Sequence, residues 1–356
     1  MLINLLTRSA WRFSHGDTSQ IAPVLLLLPK GVIGGHLNSN EQSWELRENS
    51  LVFLNSNDVA TTVFSEIEFD AGDPVRMTGK CIQEGNAVRV LDRINLPSGI
   101  DLGQQSRQEA PDFLRMVDRT KSLKNRNLVV LRANDQSLHT QWPQNIPIIE
   151  RSWDLCISWY GNVMPAKIPE CEYFTFQPED RKFGAIHALF LGDSPLWNYD
   201  QIWLPDDDIM TSWADINRLF AICRRHELDL AQPALLMNGN ISHQVTVHNP
   251  VFSLRYTNFV EVMCPLFSRE GLQICHPVFN GSISGWGLDY IWPHLLGGVS
   301  SKVAIIDDVI VVHTRPVGGN YDRGNAIIED IKLRELYAIP TNTDDCGGLI
   351  KNLSLC

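Results

Sequence analysis

The stretch that decides the fold is YDQIWLPDDDIMTSW, Tyr199 to Trp213, in which an apolar run leads through a proline into three consecutive aspartates. Asp206, Asp207 and Asp208 carry like charges that repel one another. Some other group has to compensate them: a helix N-terminus, a basic partner or a metal ion. The apolar run before them predicts a buried strand, and the residues from Ser212 onward predict a helix.

Segments with strand and helix patterns alternate along the chain on both sides of this stretch. The predicted strands are LVVLRA (Leu128 to Ala133), LCISWY (Leu155 to Tyr160), YFTFQ, QIWLP, LAQPALL, FVEVMCPLFS and VAIIDDVIVVH. The predicted helices are Pro178 to Gly192, Ser212 to Leu228 and the region from Asp289 to Leu296. This alternation predicts an α/β sheet with helices on both faces. The aspartates then lie at the carboxyl end of a strand, where open α/β sheets bind ligands.

The beginning of the chain has a different pattern from the rest. Residues 1–110 contain short strand-like segments separated by Gly, Asn, Asp and Pro, which is typical of a small antiparallel β module. Residues 111–126 are charged and predict a linker that includes a helix. Residues 127–340 form the α/β domain, and residues 341–356 are predicted to be a loosely held tail.

The composition restricts the class of protein. With 356 residues, 44% hydrophobic and 20% charged, the chain is globular and long enough for two domains. A net charge of -11 argues against a nucleic-acid partner, because phosphate backbones need a basic face. No apolar run approaches the roughly 20 residues of a membrane span. The eight cysteines form no CxxC pair, which indicates reduced thiols in a cytoplasmic protein; peripheral association with the inner face of the membrane is compatible with this pattern.

The spacing of the aspartates favours a metal site. In an extended stretch Asp206 and Asp208 point to one side and Asp207 to the other. Two carboxylates on one side suit Mg²⁺ or Mn²⁺, which complete their shells with water and substrate phosphates. The alternative is that Asp208 helps to cap the following helix, although Ser212 and Asp215 already form a capping-box-like pair that needs none of the aspartates.

A histidine far downstream is a candidate third ligand. His313 follows the apolar strand VAIIDDVIVVH, and an imidazole beside two carboxylates shifts preference from Mg²⁺ toward Mn²⁺. The alternative is a hydrogen-bonded structural histidine at a strand end.

Two further acids are candidate catalytic residues. Asp289 follows the flexible sequence GWG, and it is either the N-cap of the next helix or a carboxylate that accepts a proton from an attacking hydroxyl. Glu261 is a lone acid in an apolar strand. It is either solvated at an edge or binds a substrate hydroxyl.

The candidate nucleotide-binding residues are Lys182, Asp206 and Asp207. Lys182 lies in the helix opened by Pro178, and it is either a surface lysine or a point charge for a diphosphate. His243 and Gln244, in the sequence ISHQVT, either line the mouth of the same binding site at the strand ends or complete a turn.

From about Asn127 to Pro316 the chain resembles the family catalogued as domain of unknown function 707, sometimes labelled "lysine ketoglutarate reductase trans-splicing related". The resemblance runs through YDQIWLPDDDI, LDLAQPAL, SHQVT, FVEVMCPLFS, GWGLDY and VAIIDDVIVVH, in the same order and at similar distances. This family looks like a GT-A-type glycosyltransferase, which implies a Rossmann-like mixed sheet. Pro205 replaces the family's usual aromatic residue before the first acid. The reductase label has no support, because no GxGxxG follows a strand.

The resemblance also implies site roles. Asp206 and Asp208 match the pair that holds a divalent ion on a nucleotide-sugar diphosphate, and His313 matches the C-terminal metal-binding histidine. Asp289 matches the acid near the acceptor hydroxyl, and Lys182 falls where the family carries a lysine on the helix before the acidic strand.

The sequence thus predicts a metal-dependent glycosyltransferase with a nucleotide-sugar donor and a glycan or lipid-linked glycan acceptor. The first hundred residues are similar to small β modules of bacterial polysaccharide-assembly transferases, which indicates surface polysaccharide assembly. The alternatives are a nucleotidyltransferase, which also uses paired aspartates and a metal, and a non-catalytic glycan-binding or scaffold protein on a degenerate transferase fold.

Overall fold

The fold comprises two β-sheets, one before residue 95 and one after residue 113. The structure is a computed structural model, and it describes residues 2–7, 9–27, 31, 33–34, 41–94, 114–115, 126–143, 150–178, 181–279, 282, 284–298, 302–316, 323–337, 339 and 345–351.

The first sheet is antiparallel and follows a short helix, α1 (Leu2–Leu6). Its strands are β1 (Ala10–His15), β2 (Gln20–Leu27), β3 (Ile33–Gly34), β4 (Ser43–Arg47), β5 (Ser50–Leu54), β6 (Ala60–Asp70), β7 (Asp73–Cys81) and β8 (Ala87–Ile94), in the order β3-β2-β1-β8-β7-β6-β5-β4. Alternating apolar residues face one side of the sheet, where Phe13, Phe53 and Phe64 pack edge to face.

The second sheet is mixed. Its strands are β9 (Leu114–Arg115), β10 (Asn127–Ala133), β11 (Asp154–Trp159), β12 (Tyr173–Phe176), β13 (Gln201–Trp203), β14 (Ile209–Met210), β15 (Leu230–Leu235), β16 (Phe252–Thr257), β17 (Leu266–Ser268), β18 (Val303–His313) and β19 (Asp345–Ile350). The order is β19-β16-β18-β15-β17-β13-β10-β11-β12-β9, with β14 paired to β18. Strands β10 to β13 pair in parallel, as do β15 and β18, while β17 runs antiparallel between the two groups. The parallel strands therefore end at one edge.

Helices cover both faces of the mixed sheet. They are α2 (Lys182–Leu189), α3 (Trp213–Arg225), α4 (Arg269–Cys275), α5 (Leu288–Leu295) and α6 (Arg323–Leu336). Strand β10 is apolar throughout because it is buried on both sides: Leu128 and Val130 pack in the core under α2 and α5, whereas Val129 and Leu131 pack in the core under α3. This is the fold class predicted from the sequence, a mixed α/β sheet flanked by helices and preceded by an antiparallel β-sheet.

Two predicted elements were wrong. The run FVEVMCPLFS predicts one long strand, but only Leu266–Ser268 is a strand, and residues 259–265 form a buried loop. The predicted tail contains β19, which pairs antiparallel with β16 because a free sheet edge is available there. Within the predicted linker, Leu114–Arg115 form β9, while a linker helix falls outside the described residues.

The state of the cysteines and the presence of membrane-spanning helices can be examined in the described residues. Cys81, Cys156, Cys171, Cys223, Cys264 and Cys275 are all buried and free, in agreement with reduced thiols. Among the helices described here, none has the length and apolar character to cross a bilayer.

Candidate functional site

The three aspartates lie on a turn that continues β13. The Leu204 amide donates to the Pro265 carbonyl (2.8 Å) and the Asp206 amide to the Met263 carbonyl (2.6 Å), so the strand end is held against the loop before β17. The backbone then turns, and the Ile209 amide donates to the Asp206 carbonyl at 3.3 Å. The sequence predicted an extended backbone at the aspartates, whereas the structure has a turn. The turn nevertheless separates Asp207 from its two neighbours.

Asp206, Asp208 and His313 come together as a group in which one ligand atom of each lies within 4.8 Å of the others. Strand pairing produces this proximity: β14 follows the aspartates directly and pairs with β18 so that Ile209 is opposite His313. The combination of two acids and a distant histidine predicted from the sequence is therefore present in the fold.

The imidazole of His313 is oriented by the backbone. Its Nδ1 lies 2.9 Å from the Asn240 carbonyl, which fixes the Nδ1 proton there and leaves Nε2 facing the Asp208 Oδ2 at 3.2 Å. In this tautomer a nitrogen lone pair meets a carboxylate oxygen, and a cation between them relieves the repulsion. Burial raises the pKa of Asp208, and Asp206 adds to that rise, while His313 and Arg315 act in the opposite direction.

The helix capping alternative for the aspartates does not hold. The N-cap of α3 is Ser212, whose hydroxyl accepts from the Asp215 amide at 3.1 Å and donates to the Asp215 carboxylate at 2.7 Å. The capping pair predicted from the sequence is thus confirmed, and it uses none of the three aspartates.

Lys182 is part of the site and is not a surface lysine. It lies at the first position of α2, and its ammonium donates to the Asp206 Oδ1 (2.6 Å) and the Val262 carbonyl (2.7 Å). One cation thus links a candidate metal ligand to the loop that carries Glu261.

Asp207 is bound by three side chains. Its carboxylate accepts from the Ser137 hydroxyl (2.7 Å), the Tyr160 hydroxyl (3.0 Å) and the Arg315 guanidinium (3.0 Å). These residues follow β10, β11 and β18 respectively, so Asp207 ties three strand ends to the acidic turn. The pKa of Tyr160 is raised, mainly by burial and also by Asp207.

Glu261 and Asp289 form a second acidic group, named here the acid pair. Glu261 is 2% exposed and Asp289 is 6% exposed. Burial raises the pKa of Glu261 to about 7. Burial also raises the pKa of Asp289 well above its usual range, and the negative charge of Glu261 raises it further. Glu261 lies in the buried loop, so its prediction as a residue of an apolar strand was wrong.

Asp289 is not an N-cap. Helix α5 is capped by Gly287, which has a φ of 91°, and Asp289 is in the first turn. A Cβ at residue 287 would lie 3.3 Å from the Cα of Asp330 in α6, so both the backbone conformation and the close helix packing require glycine. The Asp289 carbonyl accepts from the Val260 amide at 3.5 Å, which brings α5 to the loop of Glu261.

Aromatic residues lie beside the acid pair. His243 is 4.4 Å from Phe259 between ring centroids, and Phe259 is 4.9 Å from Tyr290. Gln244 begins the single-turn helix that follows His243 and is exposed. His243 thus packs with the aromatic residues beside the acid pair, whereas Gln244 belongs to a turn.

The segment that follows His243 and Gln244, residues 245–249, is held by a buried ion pair. Arg255 donates to the Asp307 carboxylate (2.8 Å) and to the carbonyls of Val245 (3.0 Å) and Val247 (2.7 Å). The Asn249 amide also donates to Asp307, at 2.7 Å. Residues 245–249 are therefore fixed to the sheet next to the acid pair.

The residues at the acidic turn fit a hard divalent ion. Two carboxylates and one imidazole with a fixed tautomer are ligands that Mn²⁺ and Mg²⁺ accept, and the remaining positions of such ions are filled by water or phosphate oxygens.

Four contributing residues were not predicted from the sequence: Ser137, Tyr160, Asn240 and Arg315. Arg315 carries the one available signal, since it is a cation two residues after His313. Ser137 and Tyr160 follow predicted strands, but single polar residues in loops do not reveal their partners.

No family profile matches this chain, and neither does any curated protein sequence. Solved structures with a similar fold include a mycobacterial protein, at 13% identity over 60% of this chain and 75% of that chain, with a TM-score of 0.37. S. aureus TarS 1-349 matches at 8% identity over 59% of this chain and 71% of that chain, with a TM-score of 0.34. The same fragment in complex with UDP-GlcNAc matches at 10% identity over 60% of this chain and 65% of that chain, with a TM-score of 0.39. These distant likenesses concern the fold and carry no information on function.

Proposed function

We propose that this protein is a metal-dependent glycosyltransferase that moves a sugar from a nucleotide-sugar donor to a hydroxyl of a glycan or lipid-linked glycan, in bacterial surface polysaccharide assembly. The observation that supports it is the group of Asp206, Asp208 and His313 at the carboxyl-end edge of a mixed α/β sheet. The resemblance of Asn127 to Pro316 to the family of domain of unknown function 707 leads to the same proposal.

The proposed reaction needs charge stabilisation at the donor. A divalent ion held by this group, Mn²⁺ or Mg²⁺, supplies positive charge for the diphosphate leaving group. Asp206, Asp208 and His313 hold that charge in place. Lys182 adds one positive charge next to Asp206 and keeps the carboxylate oriented.

The acid pair completes the proposed chemistry. The acceptor oxygen forms the new bond to the anomeric carbon while the bond to the diphosphate oxygen breaks, and the diphosphate leaves with the electron pair. The hydroxyl proton passes to a carboxylate, for which Asp289 and Glu261 are the candidates. Attack by an oxygen activated in this way inverts the anomeric carbon.

The test is calorimetric titration of the purified protein with a panel of nucleoside diphosphates, each with and without Mn²⁺. We expect one nucleotide to bind only with metal, and an Asp206→Ala, Asp208→Ala double variant to lose that binding. Asp193→Asn, at an exposed acid outside the site, is the matched control and retains it.

The same titration separates the alternatives. Metal-dependent binding and turnover of nucleoside triphosphates, without turnover of nucleotide sugars, would identify a nucleotidyltransferase. Binding of glycans without any metal-dependent nucleotide binding would identify a glycan-binding or scaffold protein and would overturn the proposal.

A further inference from the structure

The acid pair carries information about the acceptor. Glu261 is almost completely buried, and its Oε2 has no hydrogen-bond partner among the residues that the structure describes. An unpaired buried carboxyl oxygen is costly, and such groups are retained at sites where a ligand supplies the missing contact. The adjoining backbone is rigid, since the Glu261 amide donates to the buried Gln232 side chain at 2.6 Å.

Neighbouring charges reinforce the negative character of this region. Acidic side chains act on both members of the pair: Asp206 acts on Glu261, and Asp330 acts on Asp289, where the cation Arg334 also acts. The nearby cation Arg334 is already committed, because it donates to Asp330 at 2.7 Å and stacks over the Tyr290 ring at 5.1 Å.

Burial disfavours the ionised form of both Glu261 and Asp289, and the charge of Glu261 adds to this effect at Asp289, so the pair retains a proton. The pair then presents one oxygen that donates a hydrogen bond and others that accept. A hydroxyl group is the matching ligand, since it donates one hydrogen bond and accepts two. A phosphate or carboxylate offers only negative acceptors and meets repulsion from every acid in the region.

The aromatic residues supply the other half of the recognition. Tyr290 and His243 are partly exposed, and both contact the fully buried Phe259. An apolar wall beside a hydrogen-bonding pair fits a ring that has an apolar face and a polar edge.

Resting on the proposed function, we infer that the acid pair selects an uncharged sugar or polyol hydroxyl as the acceptor and excludes acceptors that carry an anionic group next to the reacting hydroxyl. Glu261 acts in this selection as a specificity-determining residue. Exclusion by like charge is an established route to specificity.

The experiment compares matched pairs of small acceptors by saturation-transfer NMR. Each pair consists of a neutral methyl glycoside and the corresponding sugar phosphate, from glucose, galactose and N-acetylglucosamine. The protein is loaded with Mg²⁺, which is not paramagnetic, and with the nucleoside diphosphate selected by calorimetry. We expect at least one neutral probe to bind the wild-type protein about tenfold or more tightly than its phosphate.

Variants assign this selectivity to the acid pair. In Glu261→Gln we expect the preference for the neutral probe to fall to about threefold or less, with unchanged metal-dependent nucleotide binding. Asp289→Asn is the second variant should the first one fail to fold, and Glu270→Gln, at an exposed acid of α4, is the matched control and keeps the wild-type preference.

The outcomes distinguish the inference from the proposed function. Equal or tighter binding of the sugar phosphates, binding of no sugar probe to the nucleotide-loaded protein, or an unchanged preference in both variants overturns the inference. None of these results affects the proposed donor site. Loss of metal-dependent nucleotide binding in the wild-type protein overturns the proposed function instead, whatever the sugar probes show.

Discussion

The acidic turn of β13 and the acid pair differ in what neutralises their charge. At the turn, Asp206 pairs with Lys182, Asp207 with Arg315, and Asp208 faces His313. Glu261 and Asp289 are also buried, and the charges of other acids raise their pKa values. The first group is arranged for a cation and the second for a proton.

This difference has a structural origin. The turn lies where three strand ends and α2 converge, so basic side chains from several elements can reach it. The acid pair lies between the buried loop of residues 259–265 and the first turn of α5, where the neighbouring side chains are aromatic and apolar. Solvent exclusion, which raises the pKa values of the pair, thus follows from the same packing that forms the core.

Replacing one acid of the turn should have the largest effect. In Asp208→Asn we expect Mn²⁺ affinity to fall by more than about 100-fold, because a ligand is lost, and outer-shell residues alone account for losses of about 10- to 100-fold. The measurement is titration of Mn²⁺ followed by electron paramagnetic resonance. Asp207→Asn is the matched control and should stay within about tenfold of the wild type. Equal losses in both variants would contradict the division of roles between neighbouring aspartates.

The second prediction concerns stability and pH. The folded-state pKa of Glu261 is about 7 against an ordinary value of 4.5, so the folded protein binds more protons than the unfolded chain between these values. The stabilising effect of this group is complete below pH 4.5 and is lost as the pH rises through 7. A pKa shift of this size corresponds to a change of about 3 kcal/mol in the free energy of unfolding.

Glu261→Gln removes this loss because its side chain stays uncharged. The quantity to compare is the free energy of unfolding of the variant minus that of the wild type. We expect this difference to be about 3 kcal/mol more positive at pH 8.5 than at pH 4, which means that the variant gains stability relative to the wild type as the pH rises. Urea denaturation of both proteins in EDTA at the two pH values measures this difference. A difference that is independent of pH would show that Glu261 titrates normally, and the contrast with the turn would then disappear.

The third prediction tests Asp207 as an anchor. In Asp207→Ala the hydroxyls of Ser137 and Tyr160 and the guanidinium of Arg315 lose a shared acceptor. We expect a loss of about 2 kcal/mol in the free energy of unfolding, the size typical of buried groups left without a partner. Urea denaturation measures it, and Asp207→Asn, which retains one acceptor oxygen, should lose less. A stability equal to that of the wild type would return Asp207 to the nucleotide-binding role predicted from the sequence.

The sequence singles out the acids of both the turn and the acid pair, but it does not predict the loop that carries Glu261. Asp206, Asp208 and His313 each end an apolar strand, and their residue types identify them without knowledge of their partners. The antiparallel pairing of β14 with β18, which places Ile209 opposite His313, then brings them together. Contacts that depend on loops, such as those of Asn240 and Arg315, leave no periodic signal.

The loop of Glu261 shows why the predicted strand was wrong. Its apolar residues match a strand, yet they are apolar because the loop is buried, and periodicity does not separate the two cases. The backbone groups of this loop are satisfied from outside any sheet: Lys182 donates to the Val262 carbonyl at 2.7 Å and Trp203 to the Cys264 carbonyl at 3.0 Å. Such partners are distant in sequence, so only the fold reveals them.

The smallest expected effect concerns the cap of α3, and it separates helix capping from metal binding at the turn. Ser212→Ala removes the hydroxyl that accepts from the Asp215 amide, so we expect a loss of about 1 kcal/mol in the free energy of unfolding. Mn²⁺ affinity should not change, because none of the candidate ligands contributes to the cap. Ser212→Asn, which retains a capping acceptor, should recover most of the stability. Weaker Mn²⁺ binding in Ser212→Ala, with normal binding in Ser212→Asn, would mean that the helix start positions the aspartates, and the turn and the helix would then have to be treated as one unit.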